Sequence, residues 1–126
     1  MATLEDVMSG KAFTVSADTS MVEAAKGMAK GRLGSALIMQ GSWLAGIITE
    51  RDMLRAAASG EDLNATKVKD WMTSDPITAT PDMDTEEAAA VMFTNGFRHL
   101  PVTKGNEVVG VVSLRDVLSA RIRRRS

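Results

Sequence analysis

The sequence predicts an α+β fold in which one small βαββα unit occurs twice. Three observations lead to this prediction. The chain matches itself at an offset of 64 residues without gaps, each copy places short apolar stretches around helical patterns, and each copy starts its last helix with the same hydroxyl-to-aspartate spacing. The copies are assigned to residues 1–62 and 63–126, and the second ends in a short basic tail.

The repeat keeps one register along its whole length. Identical residues meet in the first helix, the hairpin turn and the last strand-to-helix turn: Glu23-Ala24-Ala25 with Glu87-Ala88-Ala89, Gly41 with Gly105, Gly46 with Gly110, and Arg51-Asp52 with Arg115-Asp116. A period this long, present only twice, indicates a duplicated domain. Because half of 126 residues would bury little surface alone, the two copies are expected to share a core.

Each copy is predicted to contain the same five elements in the same order. A short apolar strand is followed by a helix. The helix begins with a capping box and ends at a glycine, which is Gly31 in copy one and Gly96 in copy two. Two strands joined by a hairpin turn come next, and the last helix starts directly after them. In copy one the predicted strands are residues 13–15, 36–39 and 43–48, and the predicted helices are residues 20–31 and 49–54. In copy two the predicted strands are residues 77–79, 100–102 and 107–112, and the predicted helices are residues 84–96 and 113–118.

Composition excludes several kinds of protein. Hydrophobic residues make up 44% and charged residues 25% of the chain, which is typical of a globular protein, and no long apolar run or leader is present, so a cytoplasmic location is predicted. There is no cysteine, and one histidine without a carboxylate cluster does not predict a metal site. Since no nucleophile elbow and no glycine-rich phosphate loop occur, no catalytic residues are predicted and the protein is not expected to be an enzyme.

The strongest chemical signal is the turn from the last strand into the last helix. It has the sequence Gly-Ile-Ile-Thr-Glu-Arg-Asp at residues 46–52 and Gly-Val-Val-Ser-Leu-Arg-Asp at residues 110–116. Backbone N–H groups, the helix dipole and the hydroxyl of Thr49 or Ser113 could receive phosphate oxygens. The carboxylate of Asp52 or Asp116, one turn later, could accept hydrogen bonds from ribose hydroxyls.

A capping box explains the same spacing without any ligand. Thr-x-x-Asp and Ser-x-x-Asp can satisfy the first backbone N–H groups of a helix by themselves. A single copy would favour this simpler interpretation. Two copies at matched positions, each after a matched Gly-apolar-apolar strand, favour a family signature instead.

The whole chain, over residues 4–122, resembles a pair of CBS domains, named for cystathionine β-synthase and also called a Bateman module. The resemblance depends on the doubled turn, on Glu-Ala-Ala-x-x-Met in both copies, and on Phe-Arg-His-Leu-Pro-Val at residues 97–102. It implies two βαββα repeats packed through their sheets as one pseudo-twofold module, with clefts between them. It also implies a regulatory, non-catalytic role, homodimers, and adenosine-containing ligands such as AMP, ADP, ATP or S-adenosylmethionine, with no further cofactor.

The resemblance assigns roles to residues of both copies. Phosphate would meet Thr49, Ser113, Arg98 and His99, ribose would meet Asp52 and Asp116, and adenine would lie against Phe13, Thr14 and Val15 or Ile77, Thr78 and Ala79.

The two copies also differ at matched positions. Gly34 and Ser35 stand in copy one where copy two has Arg98 and His99, so two sites of unequal charge are predicted. Trp71 is aligned with Val7 in the repeat, and it is expected to pack at an interface or in the core.

Two alternatives stay open. The chain could be a ligand-free dimerising module that docks on an enzyme or transporter. It could also bind nucleic acid through Arg121, Arg123, Arg124 and Arg125, although an aromatic content of 4% leaves few platforms for base stacking. No membrane partner is predicted.

Overall fold

A computed structural model of the chain describes residues 2–10 and 12–125, with side chains through residue 122. The elements follow one another as α1 Leu4–Val7, β1 Thr14–Val15, α2 Met21–Gly31, β2 Ser35–Gln40, β3 Trp43–Thr49, α3 Glu50–Ala58, a 3₁₀ turn Val68–Asp70, β4 Thr73–Ser74, α4 Thr85–Asn95, β5 His99–Lys104, β6 Glu107–Ser113 and α5 Leu114–Arg125. This α+β architecture with two repeats confirms the predicted fold class. None of the helices in these described ranges combines the length and apolar character that crossing a membrane requires.

The chain divides into two compact units. The first unit is Phe13–Pro76, and the second unit is Met1–Ala12 together with Ile77–Ser126. The first unit contains a sheet of order β1-β2-β3-β4, in which β1 runs parallel to β2 and the other neighbours are antiparallel.

The second unit repeats this topology with shorter edges. Its β5 and β6 form an antiparallel pair. A single parallel bridge from Ala79 to Val102 stands in the place of β1, and a single antiparallel bridge from Ser9 to Val111 stands in the place of β4. The strand predicted at residues 77–79 is therefore reduced to one bridging residue.

The buried apolar residues form two hydrophobic cores, and each contains residues of both sequence copies. The first core contains residues of α2, β2, β3 and α3 together with Val68. The second contains residues of α4, β5, β6 and α5 together with Leu4. Leu4 and Val68 occupy the same repeat position and are both fully buried. The compact units are thus offset from the sequence copies, because the opening segment of each copy packs into the core that the other copy builds.

Helices α2 and α4 begin at the predicted cap residues, although the cap of α4 uses the Glu86 N–H and not that of Glu87, which a capping box would use. Ser20 accepts a hydrogen bond from the Glu23 backbone N–H at 3.1 Å, and Asp84 accepts one from the Glu86 N–H at 2.9 Å. Helix α4 ends at the left-handed Gly96, with φ 74°, as expected. Helix α2 ends at Gly31 as predicted, but its left-handed C-cap is the next residue, Arg32, with φ 55°.

Candidate functional site

The turn of copy one forms a reciprocal hydrogen-bonded cap at the start of α3. The Thr49 N–H donates to Asp52 Oδ2 at 2.8 Å, and the Thr49 hydroxyl donates to the same oxygen at 3.1 Å. The Asp52 N–H in turn donates to Thr49 Oγ1 at 3.4 Å. Asp52 is buried in this arrangement, so its carboxylate is held in one place by the backbone of the turn.

The turn of copy two forms the same cap at the start of α5. The Ser113 N–H donates to Asp116 Oδ2 at 2.8 Å, and the Asp116 N–H donates to Ser113 Oγ at 3.0 Å. Both copies therefore contain the capping box that explains the spacing without a ligand. In each cap the backbone N–H donates to Oδ2 of the aspartate, so the carboxylate has a second oxygen that can accept from a ligand while the cap stays in place.

The residues at the start of β2 and of β5 lie directly beside the turns. In copy one, Ser35 pairs with Thr49, and the Glu50 N–H donates to the Gly34 carbonyl at 3.0 Å. In copy two, the corresponding backbone bond joins the Leu114 N–H to the Arg98 carbonyl at 2.8 Å.

His99 pairs with Ser113 in the same register. The structure therefore brings Arg98 and His99 next to Ser113, at the N-terminus of α5. Arg98 is exposed and His99 is half-buried. The neighbours of Thr49 at the matched positions are the uncharged Gly34 and Ser35, so the difference in charge between the copies falls at the two helix N-termini.

The segments expected to contact adenine are separated from the turns by β2 in the first unit and by β5 in the second. Thr14 and Val15 pair with β2, and β2 separates them from β3 and Thr49. Two strand spacings correspond to roughly 10 Å. In the second unit, the Ala79 N–H donates to the Pro101 carbonyl at 2.9 Å, while Ile77 and Thr78 are exposed. Within one unit the structure does not bring these segments into the hydrogen-bonded turn.

Close packing explains the glycine that opens the doubled turn. A Cβ atom on Gly46 would lie 2.5 Å from the Met72 sulfur and 2.8 Å from the Thr73 carbonyl oxygen. A Cβ atom on Gly110 would lie 2.5 Å from the Ser9 carbonyl oxygen. These glycines thus allow the neighbouring segment to approach β3 or β6, and they have a structural reason that is independent of any ligand.

Sequence reasoning missed a group of side chains around Asp52. The Arg55 guanidinium approaches Asp52 Oδ1, with Nη1 at 3.7 Å, and lies 5.8 Å from the centroid of the Trp71 ring. The Trp71 indole N–H donates to Glu61 Oε2 at 2.8 Å. Trp71 is half-buried and packs against the first core. The available signals were the (i, i+3) spacing of Asp52 and Arg55 and the mismatch of Trp71 in the repeat.

Among the described residues, no group of three His, Asp or Glu side chains could hold a metal ion. The side chains of Arg123, Arg124 and Arg125 lie outside the described residues, so nucleic-acid binding through the basic tail stays a prediction.

Comparison with known proteins places this geometry in a family. The family model for the CBS domain matches residues 4–59 and 68–123. The chain therefore belongs to the CBS domain family and carries two CBS domains in tandem, which confirms the resemblance.

Three relatives illustrate the similarity. The chain is 38% identical to a 17.7 kDa protein of Acidianus ambivalens, covering 95% of this chain and 74% of the relative. It is 32% identical to the CBS domain-containing protein YhcV of Bacillus subtilis, covering 93% and 84%. The CBS domain pair of protein MJ0100, solved in complex with 5-methylthioadenosine and S-adenosyl-L-methionine, superposes with a TM-score of 0.88 at 28% identity, covering 99% of this chain and 98% of that one.

Proposed function

We propose that this CBS domain pair is a regulatory module that binds an adenosine-containing ligand through its two Thr/Ser-x-x-Asp turns. One observation carries the proposal: both turns hold an aspartate in place at a helix N-terminus with the same capping geometry. The complex of the MJ0100 pair with 5-methylthioadenosine and S-adenosyl-L-methionine supports the class of ligand.

Each residue has a proposed role that follows from its chemistry. Thr49 and Ser113, at the N-termini of α3 and α5, receive phosphate oxygens or other electronegative atoms of the ligand. Asp52 and Asp116 accept hydrogen bonds from the ribose hydroxyls through the carboxylate oxygen that the cap leaves open. Thr14, Val15, Ile77 and Thr78 are the proposed adenine contacts.

The two copies are proposed to differ in the charge of the ligand they prefer. Arg98 and His99 lie beside Ser113, so the turn of copy two is the proposed site for a phosphate-bearing ligand such as AMP, ADP or ATP. Gly34 and Ser35 offer no charge beside Thr49, which suits an adenosyl group without phosphate, such as that of S-adenosylmethionine.

Isothermal titration calorimetry with AMP, ATP and S-adenosylmethionine tests this function. Asp52→Asn and Asp116→Asn each remove one carboxylate charge but keep an amide oxygen that can cap the helix. Losing a charge-assisted hydrogen bond costs about 1.5–3 kcal/mol, so each variant should bind about tenfold or more weakly at its own turn. Glu107→Gln, at an exposed strand position, is the matched control and should bind as the wild type does. The absence of binding by folded wild-type protein to all three ligands would contradict the proposal.

A second candidate function is assembly into a homodimer that docks on a target enzyme or transporter in the cytoplasm. Leu54 on α3 and Leu118 on α5 occupy the same repeat position, and they are 71% and 48% exposed. Large apolar side chains left in water at equivalent positions favour a protein contact. Sedimentation velocity on Leu54→Glu and Leu118→Glu tests it: both should shift a dimer toward monomer, whereas an unchanged sedimentation coefficient would count against these helices as the interface.

A further inference from the structure

The Asp52 carboxylate of copy one has a competitor for its open oxygen. Two donors of Thr49 already face Oδ2, which leaves Oδ1 as the oxygen that a ribose hydroxyl could use. Arg55 Nη1 lies 3.7 Å from this same Oδ1. A ribose hydroxyl and the Arg55 guanidinium would therefore compete for one acceptor.

Trp71 holds the competitor in position. The Arg55 guanidinium lies over the Trp71 ring at 5.8 Å from its centroid, within the range of a cation–π contact. The ring itself is fixed, because it packs against the first core and its N–H donates to Glu61 at 2.8 Å. A guanidinium stacked on a fixed ring keeps fewer conformations, so less freedom is lost when it pairs with Asp52.

The contact is weak enough for a ligand to displace. The Arg55 side chain is 65% exposed, whereas the Asp52 side chain is 10% exposed. An ion pair at 3.7 Å whose cation is this exposed is worth up to about fivefold in an equilibrium constant. The pair can therefore tune the affinity of the turn without closing it.

Copy two does not contain this arrangement. Ser119 stands at the repeat position of Arg55, and Val7 stands at that of Trp71. The cap itself is the same, with Asp116 Oδ2 accepting from Ser113 at 2.8 Å. The residue three positions after the aspartate is therefore Arg55 in copy one and Ser119 in copy two.

We infer that Arg55, supported by Trp71, is a specificity-determining residue that weakens ribose binding at the turn of copy one. Arg55 acts through Asp52 and is a positioning residue. The inference depends on the proposed function, since it concerns the same turn. Its consequence is an order of filling: a ribose-containing ligand occupies the turn of copy two at lower concentration than the turn of copy one.

The test replaces Arg55 with serine, the residue at the matched position of copy two, and compares ligands with and without ribose hydroxyls. Arg55→Ser, in an Asp116→Asn background that weakens the turn of copy two, is titrated with AMP and with 2′,3′-dideoxy-AMP. AMP should bind about two- to fivefold more tightly than it does to Asp116→Asn alone. Dideoxy-AMP should bind both proteins equally, because it has no hydroxyl that competes with Arg55. Arg55→Lys keeps the charge and should stay close to the parent protein.

Several results would overturn the inference. Unchanged AMP binding, weaker AMP binding, or an equal gain for dideoxy-AMP would each show that Arg55 does not compete with ribose hydroxyls. AMP could also bind to Asp52→Asn but not to Asp116→Asn, whether or not Arg55→Ser is present. This result would confine ribose recognition to copy two. It would reject the inference and leave the proposed function standing. If wild-type protein and every variant fail to bind AMP, ATP and S-adenosylmethionine, both fail together.

Discussion

Alanine at the glycine of the doubled turn should destabilise the protein through a steric clash. At Gly46 the new methyl carbon would lie 2.5 Å from the Met72 sulfur and 2.8 Å from the Thr73 carbonyl oxygen. At Gly110 the nearest atom is the Ser9 carbonyl oxygen, at 2.5 Å. Carbon approaches nonbonded atoms at about 3.5 Å or more, so the neighbouring segment would have to move by most of an ångström.

The size of the effect follows from two opposing contributions. Overpacking of this kind costs about 1–3 kcal/mol, whereas replacing glycine by alanine restricts the unfolded chain and stabilises by about 0.4–1 kcal/mol. We therefore expect Gly46→Ala and Gly110→Ala to lose about 1–2 kcal/mol of unfolding free energy. Gly110→Ala should lose at least as much as Gly46→Ala, because its closest neighbour is backbone and the Met72 side chain can adjust.

Urea denaturation followed by circular dichroism measures these losses. For a chain of this size the midpoint should fall by roughly 0.5–1 M. Gly10→Ala is the matched control, because a Cβ atom there would meet nothing within 4 Å, and it should leave the midpoint unchanged or raise it. If Gly46→Ala and Gly110→Ala were as stable as the wild type, the packing explanation of these glycines would be refuted.

Three further substitutions test other parts of the structure by the same denaturation assay. Leu4→Ala empties a fully buried position in the second core and should cost about 2–5 kcal/mol, while a loss below 1 kcal/mol would argue against the exchange of opening segments. Arg32→Gly removes a side chain from the left-handed region and should stabilise by about 0.5–1 kcal/mol; destabilisation would mean that the arginine makes a contact that offsets its backbone strain. Ser113→Ala removes the acceptor for the Asp116 N–H and should cost about 1 kcal/mol, so an unchanged midpoint would show that the cap of α5 adds no stability.

The repeat made most of the fold predictable from the sequence. Each copy supplied the same order of strands and helices, and the caps at Ser20 and Asp84 followed from local chemistry that does not need tertiary contacts. The end of α2 at Gly31 was also predicted, but its left-handed cap was not, because glycine is the usual left-handed residue and here Arg32 takes that conformation one position later.

The exchange of opening segments could not be predicted by the same means. A periodic pattern shows that Leu4 and Val68 are apolar, but it does not show which core they enter. The turn was recognised because Thr49, Asp52, Ser113 and Asp116 are close in sequence. Trp71 lies far from Asp52 along the chain, so its contact with Arg55 depends on how residues 59–71 fold back onto the first core.

A crystal structure of the full chain with AMP would test the central claim most directly. The proposed function predicts the ribose hydroxyls within hydrogen-bonding distance of the Asp116 carboxylate and the phosphate beside Ser113, Arg98 and His99. It also predicts that the cap between Ser113 and Asp116 Oδ2 stays in place. AMP bound elsewhere on the chain, with the Asp116 carboxylate contacting only its own cap, would contradict the account.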